Sequence, residues 1–268
     1  MFEIYDQPWD FELLDTGDGY RLERWGEAAP RTGGTAGTGV VLARPDPQVI
    51  WKKSSVGLWE KINAKFIAGK GDEKGRWDIK GEIPDPWIVN FGGTRFLLKL
   101  SPFKHTGLFP EQAAQWEWML NKLKAISYKL KVLNLFAYTG GATMVLAKAR
   151  CQVTHVDASK PSLNWANENH KLNGLPKDSV RWILDDAVKF VKRELKRGTK
   201  YDGIIMDPPA FGRAPNGKVW KFNDDLPGLL SDCVQLLSEN ARFLIINGYA
   251  TNSSALALNN LLEDMMNH

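Results

Sequence analysis

The sequence predicts an α/β protein, a parallel sheet with helices on both faces, preceded by a small α+β domain. Two observations predict this. From about residue 104 onward, short apolar runs alternate with longer amphipathic segments, the signature of strand–helix units stacked into a parallel sheet. Before that point the chain is rich in Gly, Pro, Trp and short alternating runs, which suit paired strands and turns. The expected division is 1–103 for the N-terminal domain and 104–268 for the α/β domain.

In the first part, strands are expected over 20–25, 40–44, 87–91 and 94–100. The last two flank Gly92-Gly93, a two-residue hairpin signal. A helix is expected over 58–67, giving the order strand, strand, helix, strand, strand. Stretches 26–39 and 69–78 read as loops. In the second part a helix is expected over 110–126, with Pro110 in its first turn. Strands over 131–136, 152–156, 180–184, 203–206 and 242–246 then alternate with helices over 142–150, 160–173, 187–197, 225–237 and 253–266. Ser159 is the expected N-cap of the 160–173 helix, and Gly174 and Gly198 close two helices.

Composition narrows the function classes. At 43% hydrophobic and 25% charged residues the chain matches a water-soluble globular protein. No apolar run approaches the ~20 residues that span a bilayer, and the acidic, aromatic start at Met1 is unlike a secretory leader. Cys151 and Cys233 stand far apart, and the four histidines are scattered, so no disulfide or metal framework is expected. A reducing cytoplasm is the simplest home. A net charge of +4 is compatible with a polyanionic partner without requiring one. Eleven tryptophans fit core and interface filling more often than base stacking. Trp116 and Trp118 lie on opposite sides of their helix, so at least one belongs to the core.

The chemistry concentrates at strand ends, where open α/β sheets bind their ligands. Asn134-Leu135-Phe136-Ala137-Tyr138-Thr139-Gly140-Gly141 takes a strand through a glycine turn into a helix, exposing free N–H groups. Asp157 ends the next strand, roughly 17 residues after Gly140, close to the ~20-residue spacing of acids that hold ribose hydroxyls. Its structural alternative is an acid at a helix start beside the Ser159 cap. Asp185 and Asp186 follow the 180–184 strand and suit either an adenine amino group or a helix dipole. Asp207-Pro208-Pro209-Ala210-Phe211 follows a buried-type strand, and its two prolines make a stiff loop aimed into the cleft.

Together these segments resemble the Rossmann-like class I S-adenosylmethionine-dependent methyltransferases. Within them the chain is similar to the subfamily that includes bacterial enzymes acting on cytosine C5 or guanine N7 of large-subunit ribosomal RNA. The matching pieces are 134–141, 156–159, 168–173 and 207–211, with a Thr106-Gly107-Leu108-Phe109-Pro110-Glu111-Gln112 stretch before the core. The resemblance covers about residues 95–250. It implies S-adenosylmethionine as cofactor and RNA as partner. Position by position it implies that Asn134, Phe136, Ala137, Tyr138, Thr139 and Gly140 line the methionine end. Asp157 would hold the ribose, with Ala158 and Ser159 beside the adenine and Asp185 and Asp186 at its edge. Asp207 and Pro208 would flank the transferring methyl, Pro209 and Phe211 would form the acceptor loop, and Phe109 and Gln112 would close the cofactor pocket.

Two departures narrow the acceptor chemistry. Amino-group enzymes place an aromatic directly after the Pro-Pro pair; here Ala210 stands there and Phe211 follows. Cytosine C5 enzymes attack the ring with a cysteine; here the stretch after the fifth strand reads Ile246-Asn247-Gly248-Tyr249. The family fold also adds two more strands than are read here. Arg213, Lys218 and Lys221 are placed to meet an anionic substrate, whereas Lys189–Arg197 reads as a solvated helix face. Rival readings are a methyltransferase for a small molecule or protein, and a non-catalytic nucleic-acid-binding module. A dehydrogenase is disfavoured because Gly-x-Gly-x-x-Gly is missing from the first turn.

Overall fold

A computed structural model describes residues 9–27, 39–69, 74–124, 126–213, 219–249, 251 and 253–266. Most of the loop expected at 26–39 and the start of that at 69–78 lie outside the described residues. The chain divides into two compact units, Met1–Ala114 and Gln115–His268.

The first unit is a five-stranded sheet in the order β1-β2-β3-β4-β5, with a separate β6–β7 hairpin. Its strands are β1 (Phe11–Gly17), β2 (Tyr20–Trp25), β3 (Val40–Pro45), β4 (Ala64–Ala68), β5 (Gly75–Ile79), β6 (Trp87–Phe91) and β7 (Thr94–Leu98). The β6–β7 turn is the expected one: Gly92 and Gly93 both take positive φ, 52° and 82°. Leu22, Trp25, Leu42, Phe66 and Phe96 are fully buried. A charge pair is buried with them: Arg44 Nε and Nη2 donate to the two Glu23 carboxylate oxygens at 2.7 and 2.8 Å.

The helix expected over 58–67 is not there. A 3-10 turn covers Val56–Glu60, and β4 follows. Asn63 explains the break. Its side chain accepts from the Val41 N–H at 2.8 Å and its carbonyl accepts from Lys80 at 2.7 Å, so the chain is pinned to β3 before a helix can continue. Ala64 and Phe66 are then buried at the strand period of two. Strands β1 and β5 also escape a pattern search. The register of β1 shifts between Leu13 and Asp15, which breaks its alternation. Phe109 and Gln112 sit at a 3-10 turn, Pro110–Gln112, where the Gln112 N–H donates to the Phe109 carbonyl at 3.1 Å. The His105 ring lies 4.9 Å from that of Phe109.

The second unit is the expected α/β sheet, with α1 (Ala113–Leu123) leading into it. Its strands are β8 (Lys131–Leu135), β9 (Gln152–Asp157), β10 (Val180–Leu184), β11 (Gly203–Met206) and β14 (Phe243–Ile246). They pair in parallel throughout, in the order β10-β9-β8-β11-β14. Between them run α2 (Gly141–Lys148), α3 (Lys160–Leu172), α4 (Ala187–Lys196), α5 (Phe222–Gln235) and, at the end, α6 (Ala255–Met266). The chain adds strands in one direction from β8 to β10, then returns past β8 to lay down β11 and β14. The strand order therefore reverses between β8 and β11, where ligand crevices form in such sheets.

Ser159 caps α3 as expected, its side chain accepting from the Ser162 N–H. Trp116 is fully buried, while Trp118 lies edge-on to Phe243 at 6.3 Å. α5 begins three residues earlier than expected, at Phe222, because that buried ring anchors its first turn. Under the sheet, Leu133, Val156, Phe190, Ile204 and Leu229 share one core. Phe190 has no exposed surface. Its replacement by alanine is expected to cost about 3–5 kcal/mol of unfolding free energy in a urea titration followed by circular dichroism; a loss below about 1 kcal/mol would show that the core closes over the gap.

Candidate functional site

At the reversal point, β8 and β11 run side by side up to the pair Leu135 and Met206, then diverge. The Asp207 N–H donates back to the Leu135 carbonyl at 3.4 Å. Ala137 donates to Val156 at 3.1 Å, Asp185 to Asp157 at 3.1 Å and Asn247 to Met206 at 2.9 Å. These bonds stitch five strand ends into one rim carrying Phe136, Asp157, Asp185, Asp207 and Asn247.

The turn after β8 has an uncommon backbone. Phe136 and Tyr138 take φ of 53° and 50°, and Gly140 takes 85°. Non-glycine residues rarely adopt such angles, so other groups must hold them. Asp157 accepts the Tyr138 N–H at 2.7 Å through one oxygen and the Ser159 N–H at 2.7 Å through the other. Asn169, buried on α3, donates to the Thr139 carbonyl at 3.0 Å. At Gly140 a side chain would stand 3.2 Å from Met144 Cε and 3.3 Å from Ala166 Cβ, on top of the φ strain. Gly140 also caps α2 without a side chain, which leaves the first-turn N–H groups for an outside acceptor.

A buried polar chain lies beneath this turn. Asn134 Nδ2 donates to Thr143 Oγ1 at 2.9 Å, and Thr143 Oγ1 lies 3.0 Å from His155 Nδ1. Thr143 Oγ1 has lone pairs enough to accept from both neighbours and a proton to give, so it bridges Asn134 and the neutral imidazole of His155. All three side chains are buried, and burial lowers the His155 pKa to about 3. Asn134 thus faces inward and shapes the turn from below. The sequence gives Thr143 and His155 no site role and marks Asn169 only as part of the matching 168–173 stretch; their burial next to the turn reveals what they do.

The acids of the rim differ in their commitments. Burial raises the Asp157 pKa, and its two N–H bonds act against that rise. Asp186 caps α4, accepting the Lys189 N–H at 2.9 Å. Asp185 accepts the Asp186 N–H at 2.8 Å and pairs with Arg193. Ala158 is exposed between Asp157 and Ser159.

In the fourth segment, Pro208 is buried while Pro209 and Ala210 are exposed, and Phe211 is 59% exposed. Two short strands absent from the sequence-based expectation follow, β12 (Phe211–Arg213) and β13 (Val219–Lys221). Their antiparallel pairing sets Phe211 opposite Lys221 and Gly212 opposite Trp220. Lys221 pairs with Asp224 at 3.3 Å. Lys218 and the side chain of Arg213 lie outside the described residues. Asn247 is a further residue that pattern reading passes over. The Gln115 amide donates to its side-chain oxygen, while Gln115 Oε1 and Asn247 Nδ2 stay buried without a partner.

Neither cysteine joins the site. Both are buried and free. Burial pushes the Cys151 thiol up to about 11 and also raises that of Cys233, so neither is a thiolate nucleophile at neutral pH.

The His155 environment makes an acid-stability prediction. An unfolded chain binds a proton at His155 near its ordinary pKa of 6.5, whereas the folded chain resists until about 3. The unfolded state therefore holds more protons in that window, and stability falls as pH drops through it, by up to about 1.4 kcal/mol per pH unit for one such group. His155→Phe is expected to flatten the dependence of unfolding free energy on pH between these values. A slope unchanged from the parent protein would show that His155 is not held neutral.

Residues 66–263 match the family described as S-adenosylmethionine-dependent methyltransferase. The ribosomal RNA large subunit methyltransferase K/L of Shewanella frigidimarina is 33% identical over 157 residues, which is 58% of this chain and 21% of that protein. The ribosomal RNA large subunit methyltransferase I of Klebsiella pneumoniae is 32% identical over 58% of this chain and 38% of its own length. The chain thus spans well under half of these curated relatives. The crystal structure of a SAM-dependent methyltransferase from Agrobacterium tumefaciens aligns over 96% of this chain and 78% of that one, with 39% identity and a TM-score of 0.86. With a parallel sheet reversed at β8 and β11, a strained glycine turn and an acid at the next strand end, the chain belongs to the S-adenosylmethionine-dependent methyltransferase family.

Proposed function

We propose that this protein transfers a methyl group from S-adenosylmethionine to a base in RNA. The observation that carries the proposal is the rim itself. The glycine turn, Asp157 and the Asp207-Pro208-Pro209 loop stand at adjoining strand ends on both sides of the strand-order reversal. The names of the relatives, ribosomal RNA large subunit methyltransferases, support RNA as the acceptor class.

The rim fits the cofactor. Gly140 leaves open backbone where a side chain would crowd Met144 and Ala166, and the α2 N-terminus offers N–H groups. In this reading Phe136, Ala137, Tyr138, Thr139 and Gly140 line the methionine end, and Asp157 holds the ribose hydroxyls. Asp157 is half-buried, so its carboxylate gains when hydroxyl donors replace lost water. Ala158 and Ser159, with Asp185, border the adenine. When bound, S-adenosylmethionine supplies an electrophilic methyl group.

The protein's own part is alignment. Methyl transfer by in-line displacement depends on holding two reactants close and dry more than on proton transfer. Asp207 is fixed by its N–H bond to Leu135, and Pro208 is buried beside it. The Asp207 carboxylate orients the acceptor atom and takes its proton where one is released. The exposed Phe211 ring offers a stacking face for a base, with Lys221 opposite it in register for phosphate. Both cysteines being buried, the loop acts without a covalent ring adduct.

Two measurements test this. Tritiated methyl from S-adenosylmethionine is expected to enter purified large-subunit ribosomal RNA; label confined to protein or small-molecule fractions would overturn the RNA assignment. Asp207→Ala is expected to lower turnover by about 100-fold or more while S-adenosylhomocysteine still binds by calorimetry. Unchanged turnover would remove Asp207 from the mechanism.

A further inference from the structure

The geometry points to Trp220 as a positioning residue that ties the acceptor loop to the cofactor turn, an inference that rests on the function proposed above. Trp220 lies on β13, outside every segment that the sequence marks as functional. Its Nε1–H donates to the Pro209 carbonyl at 2.7 Å, and its ring lies 5.3 Å from the Phe136 ring at an angle of 53°. One side chain thus touches the loop that carries Asp207 and the left-handed residue that opens the turn after β8.

The surrounding backbone shows why this bond matters. Two prolines fix φ at 208 and 209, but the peptide plane after Pro209 remains free to rotate. The Trp220 bond sets that plane. The next carbonyl, that of Ala210, accepts the Phe222 N–H at 3.1 Å, and at the other end the Asp207 N–H reaches Leu135 at 3.4 Å. The loop 207–210 is therefore held at three backbone points. Of these, the Trp220 bond is the one made by a side chain that also touches the cofactor turn. Opposite Trp220, Gly212 lies close to the loop: a side chain there would stand 3.3 Å from Pro209 Cγ, tighter than ordinary contact, and 3.7 Å from Trp220 Cβ, an ordinary contact. Any shift of Phe136 on cofactor binding is felt by the indole and passed to the Pro209 carbonyl. Transfer falls steeply when the reacting atoms are misplaced by about 1 Å, so a loop set in this way influences turnover without touching either reactant.

The test separates this role from the reading beneath it. Protein labelled with 5-fluorotryptophan is titrated with S-adenosylhomocysteine, the Trp220 fluorine resonance being the one absent from Trp220→Phe. We expect that resonance to move on binding. Trp220→Phe, which keeps a ring against Phe136 but loses the N–H donor, is expected to keep its KM for S-adenosylmethionine within about twofold. Its kcat on large-subunit ribosomal RNA should fall about tenfold, at an unchanged melting temperature. Binding by the parent protein with a stationary Trp220 resonance would overturn the inference, as would a parental kcat in Trp220→Phe. A lower melting temperature with a raised KM and a lowered kcat would assign Trp220 a structural role only and overturn the inference. Failure of the parent protein to bind S-adenosylhomocysteine at all would instead overturn the proposed function, and this inference with it.

Discussion

The reversal of strand order between β8 and β11 is the constraint on which the second unit depends. Two parallel strands that part company at their carboxyl ends cannot fill the space between them with their own backbone. Where the pairing of β8 and β11 ends after Leu135 and Met206, two walls follow, the glycine turn and the Asp207 loop. Everything else at the rim adjusts those two walls. Asp157 and Asn169 fix the first through N–H and carbonyl contacts. Leu135, Phe222 and Trp220 fix the second.

Fixing the first wall has a cost. Two non-glycine residues in left-handed backbone store about 1–3 kcal/mol each, and His155, Thr143 and Asn134 form a polar chain in an otherwise apolar interior. Asp157 is held partly out of water, where the charged form is disfavoured. Such expense is common where a site must be rigid before its ligand arrives. The strain also explains why the turn is supported from β9 and α3 at once: Val156 and Asp157 take the Ala137 and Tyr138 N–H groups, and Asn169 donates to the Thr139 carbonyl.

Legibility in the sequence followed the physics of each region. In the second unit, buried strands read as continuous apolar runs and helices as amphipathic ones, so the α/β sheet and nearly all its elements were legible. The first unit was legible only where a local signal existed, as at Gly92-Gly93. β1 was hidden by its register shift, and β4 by Asn63, whose pairing with Val41 and Lys80 is long-range and leaves no local trace. At the site, residues at strand ends could be named because strand ends are predictable. Trp220, His155 and Asn247 could not, because their importance lies in contacts across elements; Asn169 stood in a matching stretch, but its bond to Thr139 did not show there. At Asp186 the sequence left two roles open, and the helix-start one is visible: one carboxylate oxygen caps α4.

We infer that one rim, shared by β8, β9 and β11, holds the adenosyl cofactor with its reacting end toward Asp207. The most direct measurement is a crystal structure with S-adenosylhomocysteine bound. Ribose hydroxyls are expected within hydrogen-bond distance of the Asp157 carboxylate, with the sulfur facing the Asp207-Pro208 corner. Binding elsewhere on the chain, or on this rim with the ribose away from Asp157, would contradict it.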